Sequence, residues 1–143
     1  MIEVSIIQQI GFHNLVDKDN NVWGFQFAMT TQMYKGIFLS QFRTGRAIVD
    51  GVVYPKESLI WNIHGYDYTA EEMYDMAETT WNVNEPAYVK IRKPGGLEPG
   101  YHDVAIEWGY INVYGRGPEK EFDGSGLGNA GSSFKPRRML LVW

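Results

Sequence analysis

With 143 residues the chain has the length of one domain, and a domain of that size buries about 70% of the surface its unfolded chain exposes, enough to fold without covalent staples. It has no cysteine, which excludes disulfide frameworks, thiolate metal sites and thiol nucleophiles. A net charge of −4, with the basic residues scattered apart from Arg137 and Arg138, is unlike the footprint of a nucleic-acid binder. No apolar run nears the roughly 20 residues of a membrane span. The opening "MIEVSIIQQIGF" lacks a basic segment and is interrupted by Glu3, Gln8 and Gln9, so no secretory signal is read and a cytoplasmic location is expected.

The first element alternates, with Ile2, Val4, Ile6, Ile10 and Phe12 on one parity and Glu3, Ser5, Gln9 and Gly11 on the other, the period of a half-buried strand. "DKDNN" turns the chain, and "VWGFQFAMTT" places Trp23, Phe25, Phe27 and Met29 on one face, predicting an antiparallel neighbour of the first strand. "IFLSQF" and "RAIVDGVVYP" follow. In the latter, Asp50-Gly51 between β-branched pairs predicts a type I′ hairpin, which needs positive φ at both central residues. Pro55 ends the return strand or holds it at an edge.

"SLIWNIHG" points Leu59, Trp61 and Ile63 inward. One short helix of two to three turns is predicted next. Thr69 caps it, Glu72 holds the reciprocal capping position, and Met73, Met76 and Ala77 fall at helical spacing. "AYVKIRK" turns Ala87, Val89 and Ile91 inward, "PGGLEPG" turns the chain, and "YHDVAIEWGYINVY" lines Val104, Ile106, Trp108, Tyr110 and Tyr114 on one face. "MLLVW" makes the last strand. About nine short strands with one helix indicate an all-β protein, an antiparallel β-sandwich or jelly-roll-like fold in a single domain over residues 1–143.

One segment breaks the rhythm. Residues 115–134 form a long glycine-rich loop with six glycines and no usable periodicity, and loops beyond about 12 to 15 residues are uncommon inside compact domains. Ordering it costs on the order of 20 to 40 kcal/mol of backbone entropy, which Phe122, Leu127, Ala130 and Phe134 do not offset alone. Within it "GLGNAG" matches G-x-G-x-x-G letter for letter. The match lacks the entering strand and following helix through which that fingerprint holds a pyrophosphate, so it reads as loop.

Chemistry-bearing clusters are sparse. His13, His64 and His102 lie in unrelated contexts and read as surface and core-edge residues, with no metal-ligand spacing among them. Glu71, Glu72, Asp75 and Glu78 read as the solvated face of the short helix, and no G-x-S-x-G nucleophile elbow is present. The residues point to a binding or assembly module. Five Trp, nine Tyr and seven Phe supply rings for a core, a sugar-stacking face or an interface, and composition leaves those three open.

At "KPGGLEPGYHDVAIE", Lys93 to Glu107, the chain resembles the small β subunit of bacterial C-glycoside deglycosidases. The likeness runs in order through "GFHN", "GFQF", "YKGIFLS", "VDG" with its following proline, "YDYTAEEM", "W" then "EPA", and "KPRRMLLV". The resemblance implies a heteromer with a larger TIM-barrel α subunit and a substrate already oxidised to a 3-oxo-C-glycoside, typically of a flavonoid. The ketone acidifies the proton on sugar C2, a base removes it, a divalent metal stabilises the enolate, and the aryl group leaves C1 as its carbon is protonated. Base and metal, expected to be manganese, belong to the α subunit, and no cofactor is expected in this chain. The role implied here is assembly and shaping of the active-site entrance. Phe122, Leu127, Asn129 and Phe134 are the loop residues expected to face the partner or that entrance. A stand-alone carbohydrate-binding sandwich that stacks sugars on Tyr and Trp is the alternative from another class, and a purely structural interaction domain is a third.

Overall fold

The computed structural model describes residues 6–31, 36–110 and 136–143. In chain order the strands are β1 (Ile7–Val16), β2 (Val22–Met29), β3 (Ile37–Phe38), β4 (Phe42–Val49), β5 (Val52–Tyr54), β6 (Leu59–Ile63), β7 (Tyr66–Tyr68), β8 (Thr80–Trp81), β9 (Ala87–Arg92), β10 (Gly100–Tyr110) and β11 (Arg137–Leu141), with one helix, α1 (Ala70–Tyr74), between β7 and β8. A first sheet has the order β1-β2-β9-β6-β7 and a second the order β11-β10-β4-β5, while β3 and β8 form a small separate ladder. Every pairing is antiparallel. This is the all-β sandwich that the alternation predicts, with eleven strands among the described residues.

The inward rows fill the core. Phe25, Phe27, Met29, Leu59, Trp61, Val89 and Ile91 come from the first sheet, and Phe42, Ala47, Val49, Val104, Ile106, Met139 and Leu141 from the second. At the centre the Phe42 ring meets Trp61 edge-on at 5.2 Å, Trp81 edge-on at 5.1 Å and Trp108 in a stacked pose at 6.4 Å. Such pairs add about 0.5 to 1.5 kcal/mol each beyond their area. Trp108 is thus a core residue, and of the other two aromatics on its parity only the backbone of Tyr110 is described and Tyr114 lies outside the described residues.

Local signals hold where they rest on hydrogen-bond chemistry. Asp50 and Gly51 take φ of 52° and 82°, joining β4 to β5 with Val49 opposite Val52. β5 is an edge strand that ends at Tyr54, just before Pro55. The Asp17 carboxylate accepts from the amides of Asp19 and Asn21 and closes the "DKDNN" turn. Thr69 Oγ1 accepts from the Glu72 amide while the Glu72 carboxylate accepts from the Thr69 amide, the reciprocal cap of α1.

Two expectations are corrected. Ile10 does not face the core: it is 88% exposed. The pairing of β1 with β2 steps from Gln8 opposite Ala28 to His13 opposite Gln26, so Gln9–Phe12 stand against Phe27 alone in a wide bulge. Gly11, at φ 96°, makes the bend that swings Ile10 out and Phe12 back in. The helix is also shorter than its spacing predicts. It stops at Tyr74, Asp75 leaves helical geometry at φ −94° and ψ 0°, and the Met76 carbonyl instead accepts from the Ser40 amide in the 3-10 turn Leu39–Gln41.

Candidate functional site

The candidate regions are the outer sides of the two sheets and a few charged groups among the described residues. On the outer side of the first sheet, register aligns Gln26 with Lys90, Lys90 with Ile60, Tyr88 with Asn62, and Asn62 with Asp67. The Asp67 carboxylate accepts from Asn62 Nδ2 at 2.7 Å and from Lys90 Nζ at 3.1 Å. Burial opposes its charge, yet those two hydrogen bonds and the Lys90 charge outweigh that and hold Asp67 below the ordinary carboxylate value. The Arg92 guanidinium lies 5.4 Å from the centre of the Trp23 ring.

The outer side of the second sheet differs. Tyr101 stands opposite Leu140, Asp103 opposite Arg138, Ala105 opposite Ile48, and Ile48 opposite Val53. Tyr101 is 63% exposed, Val53 49% and Leu140 39%, and beyond the strand Val142 is 71% and Trp143 58% exposed. Arg138 places its guanidinium 5.5 Å from the Tyr101 ring centre. The β11 edge beside this face is closed by β1: Gln9 Nε2 donates to the Leu140 carbonyl at 2.9 Å, Gln9 Oε1 accepts from the Leu140 amide at 3.2 Å, and Arg137 donates to the Ile7 carbonyl at 2.6 Å. A primary-amide side chain thereby does the work of a neighbouring strand. The Asn14 amide donates to the Trp143 carbonyl, and the Trp143 ring stacks on His13 at 4.5 Å.

Farther along the same face, Glu107 of β10 is fully buried and ion-pairs with Arg46 of β4, whose side chain remains 45% exposed. Arg43 is buried too, donating to the Ser40 carbonyl at 2.7 Å and lying 4.7 Å from the Tyr74 ring of α1. None of these three was singled out by sequence reasoning. The available signal was a carboxylate inside the apolar run "VAIEWG".

The histidines are separate from one another. His64 sits in the β6–β7 turn at φ 57°, with Nε2 at 2.6 Å from the Thr80 carbonyl and Nδ1 at 2.9 Å from the Glu85 carboxylate. His102 presents Nδ1 to Asp50 Oδ2 at 2.5 Å and Nε2 to the Glu98 carbonyl at 2.7 Å, and its ring meets Phe12 edge-on. Both of its nitrogens face acceptors. Desolvation favours neutral imidazole, but the hydrogen bonds to Asp50 and Glu98 and the charges of Asp50 and Asp103 outweigh it and raise His102 above its ordinary value. Asp50 is lowered: burial opposes its charge, and hydrogen bonds from His102 and the Asp103 amide together with the charges of His102 and Arg138 prevail.

Among the described residues no three His, Asp or Glu side chains converge as a metal site. A cleft of about 370 Å³ lies between Lys56, Glu57, Thr69, Glu71 and Tyr74. Among the described residues no helix is long and apolar enough to cross a membrane. Phe122, Leu127, Asn129 and Phe134, the loop residues expected at the partner or entrance, lie outside the described residues.

Residues 2–114 match a family model described as C-glycoside deglycosidase beta subunit. The chain is also 35% identical, over an alignment 148 positions long that takes in 99% of it and the whole of the relative, to a C-glycoside deglycosidase beta subunit of Eubacterium cellulosolvens (strain ATCC 43171 / JCM 9499 / 6). The chain belongs to the C-glycoside deglycosidase beta subunit family. The stretch matched by that family model includes β1 through β10, and therefore the β1 bulge, the His102–Asp50 pair and Glu107. β11 falls beyond the matched stretch but within the span shared with the Eubacterium beta subunit.

Proposed function

We propose that this chain is the small subunit of a heteromeric C-glycoside deglycosidase, acting in the cytoplasm on 3-oxo-C-glycosides of the flavonoid type. The reading is carried by membership of the beta subunit family over most of the chain. It is supported by an outer sheet face on which exposed large apolar side chains gather, Tyr101 opposite Leu140 with Val142 just beyond. The reaction is an elimination. The 3-ketone acidifies the C2 proton, a base takes it, and the electron pair left on C2 forms the C1–C2 double bond. The C1–aryl bond breaks, its electrons going to the aryl carbon, which is protonated. An unsaturated keto sugar and the free aglycone result.

In this reading the TIM-barrel α subunit supplies the base and a divalent metal, expected to be manganese, and this chain supports assembly and shapes the entrance. Phe122, Leu127, Asn129 and Phe134 are assigned to the entrance or the partner contact. The test is turnover of a 3-oxo-C-glycoside, read as aglycone release, by this chain alone, by the α subunit alone and by the two together. Release only from the pair is expected. An α subunit that works at full rate alone would remove the need for this chain, and glycan binding by the isolated chain would favour the stand-alone carbohydrate-binding module. Deleting residues 123–133 separates the loop's two roles. Unchanged complex formation and unchanged turnover would together overturn the loop assignment.

A further inference from the structure

We infer that the partner subunit seats on the outer face of the β11-β10 end of the second sheet, around Tyr101, Leu140 and Val142, with Trp143 and the Ile10 bulge on its margin. The inference rests on the heteromeric reading above and adds where the partner sits.

Ile10, Tyr101, Leu140, Val142 and Trp143 are 88%, 63%, 39%, 71% and 58% exposed. They come from three separate stretches of chain that the fold brings to one region: register places Tyr101 opposite Leu140, and Gln9, the residue before Ile10, bonds the Leu140 backbone. Taking about 150–250 Å² for a large ring and less for aliphatic chains, these five leave on the order of 500 Å² in water. That is the scale of a monomer's largest, often functional, patch. It is also most of the roughly 800 Å² per partner of a standard interface.

The manner of docking follows from the edge and the charges. Because the Gln9 amide already satisfies the Leu140 amide and carbonyl, the partner does not add a strand to β11 at that point, and contact is through side chains on the face. Charges of both signs lie nearby, Arg138 opposite Asp103 and His102 bonded to Asp50. The face therefore offers burial with no run of charge of one sign, and it suits an apolar, weakly charged surface on the partner. Association through it responds weakly to salt.

The test uses the full chain with the α subunit. Ile10→Glu and Val142→Glu are combined in one variant, since Ile10 is the most exposed of these side chains and Val142 lies past the end of β11. Arg92→Glu, on the opposite outer face, serves as the control. Circular dichroism and thermal melting establish that each variant folds. Should the double variant fail to fold, Val142→Glu alone is measured. The expected result is α-subunit binding about 30-fold or more weaker in the double variant, the scale of an interface hot spot, with little change in Arg92→Glu and with wild-type binding nearly constant between low and high salt. Wild-type affinity in the folded double variant would overturn the docking face while leaving the heteromer intact. Failure of the unaltered chain to bind the α subunit would overturn the heteromeric reading itself. A self-association of the isolated chain that the double variant abolishes, with α-subunit binding unchanged, would give the face to a second copy and overturn the proposal.

Discussion

On the outer side of the β1-β2-β9-β6-β7 sheet, Lys90, Asp67 and Asn62 form a hydrogen-bonded charge network. On the outer side of the β11-β10-β4-β5 sheet, Tyr101 faces Leu140 and Ile48 faces Val53, and Arg46 ion-pairs there with the fully buried Glu107 carboxylate. Both sheets present equally apolar rows to the shared core, so core packing does not account for the contrast. One face carries charges that water and neighbours already satisfy, and the other adds to its charged pairs exposed apolar side chains that water does not satisfy. A sandwich needs only its inner rows to fold, which leaves its outer rows to be shaped by what lies against them.

The largest effect expected from challenging that contrast comes at Arg46. Arg46→Met strands the buried Glu107 carboxylate and is expected to cost about 3 kcal/mol, the scale of breaking a buried pair from one side. Glu107→Gln leaves a half-exposed guanidinium that water solvates, and it should cost about 1 kcal/mol. Urea denaturation of both variants measures the asymmetry. Equal losses would mean that Glu107 is no more dependent on its partner than the solvated pairs of the opposite face. The next effect lies on that opposite face. A Cβ at Gly24 would run into the Ile91 carbonyl oxygen of the adjoining strand, so Gly24→Ala should cost about 2 kcal/mol through backbone displacement. An unchanged melting temperature would show that the β2–β9 backbone yields more freely than its register suggests.

The contrast between faces was only half legible in the sequence. Leu59, Trp61 and Ile63 and then Ala87, Val89 and Ile91 alternate without interruption, and the fold keeps them in register, so parity alone places them. Asp50-Gly51 and the Thr69–Glu72 cap were legible because each is a local hydrogen-bond or dihedral requirement. The β1 bulge was not. The doublets Ile6-Ile7 and Gln8-Gln9 interrupt the alternation without saying how the strand answers it, and the extra residues meet β11, about 130 positions away, through Gln9 and Arg137. Met76 likewise kept helical spacing but was taken by the Ser40 turn. Glu107 and Arg46 lie 61 positions apart. Parity placed Glu107 on an outer row, and nothing in one strand's pattern says that an outer row is buried.

Two smaller effects sharpen the comparison at its charged points. Next to the apolar face, His102 is raised above 6.5, so its contribution to stability is full below about 6.5 and is lost as pH rises through its folded value. Asp50 is lowered below 3.8, so its contribution is present above that value and is lost as pH falls through its folded one. The pair therefore stabilises most between those two limits. Asp50→Asn keeps a residue that accepts positive φ, and it should bring the His102 titration, followed by NMR, down toward 6.5 while flattening the fall in stability above that pH. A His102 titration unmoved by Asp50→Asn would show that Glu98 and Asp103 hold the proton instead. The smallest effect belongs to the polar face. Lys90→Met should cost about 0.5 kcal/mol at neutral pH, as an ion pair with a half-exposed carboxylate does, and the cost should shrink in high salt and as pH falls through the lowered value of Asp67. A loss that persists undiminished in high salt would mean that the Lys90 stem holds the face by packing, and the polar side of the sandwich would then differ from the apolar side in degree, no longer in kind.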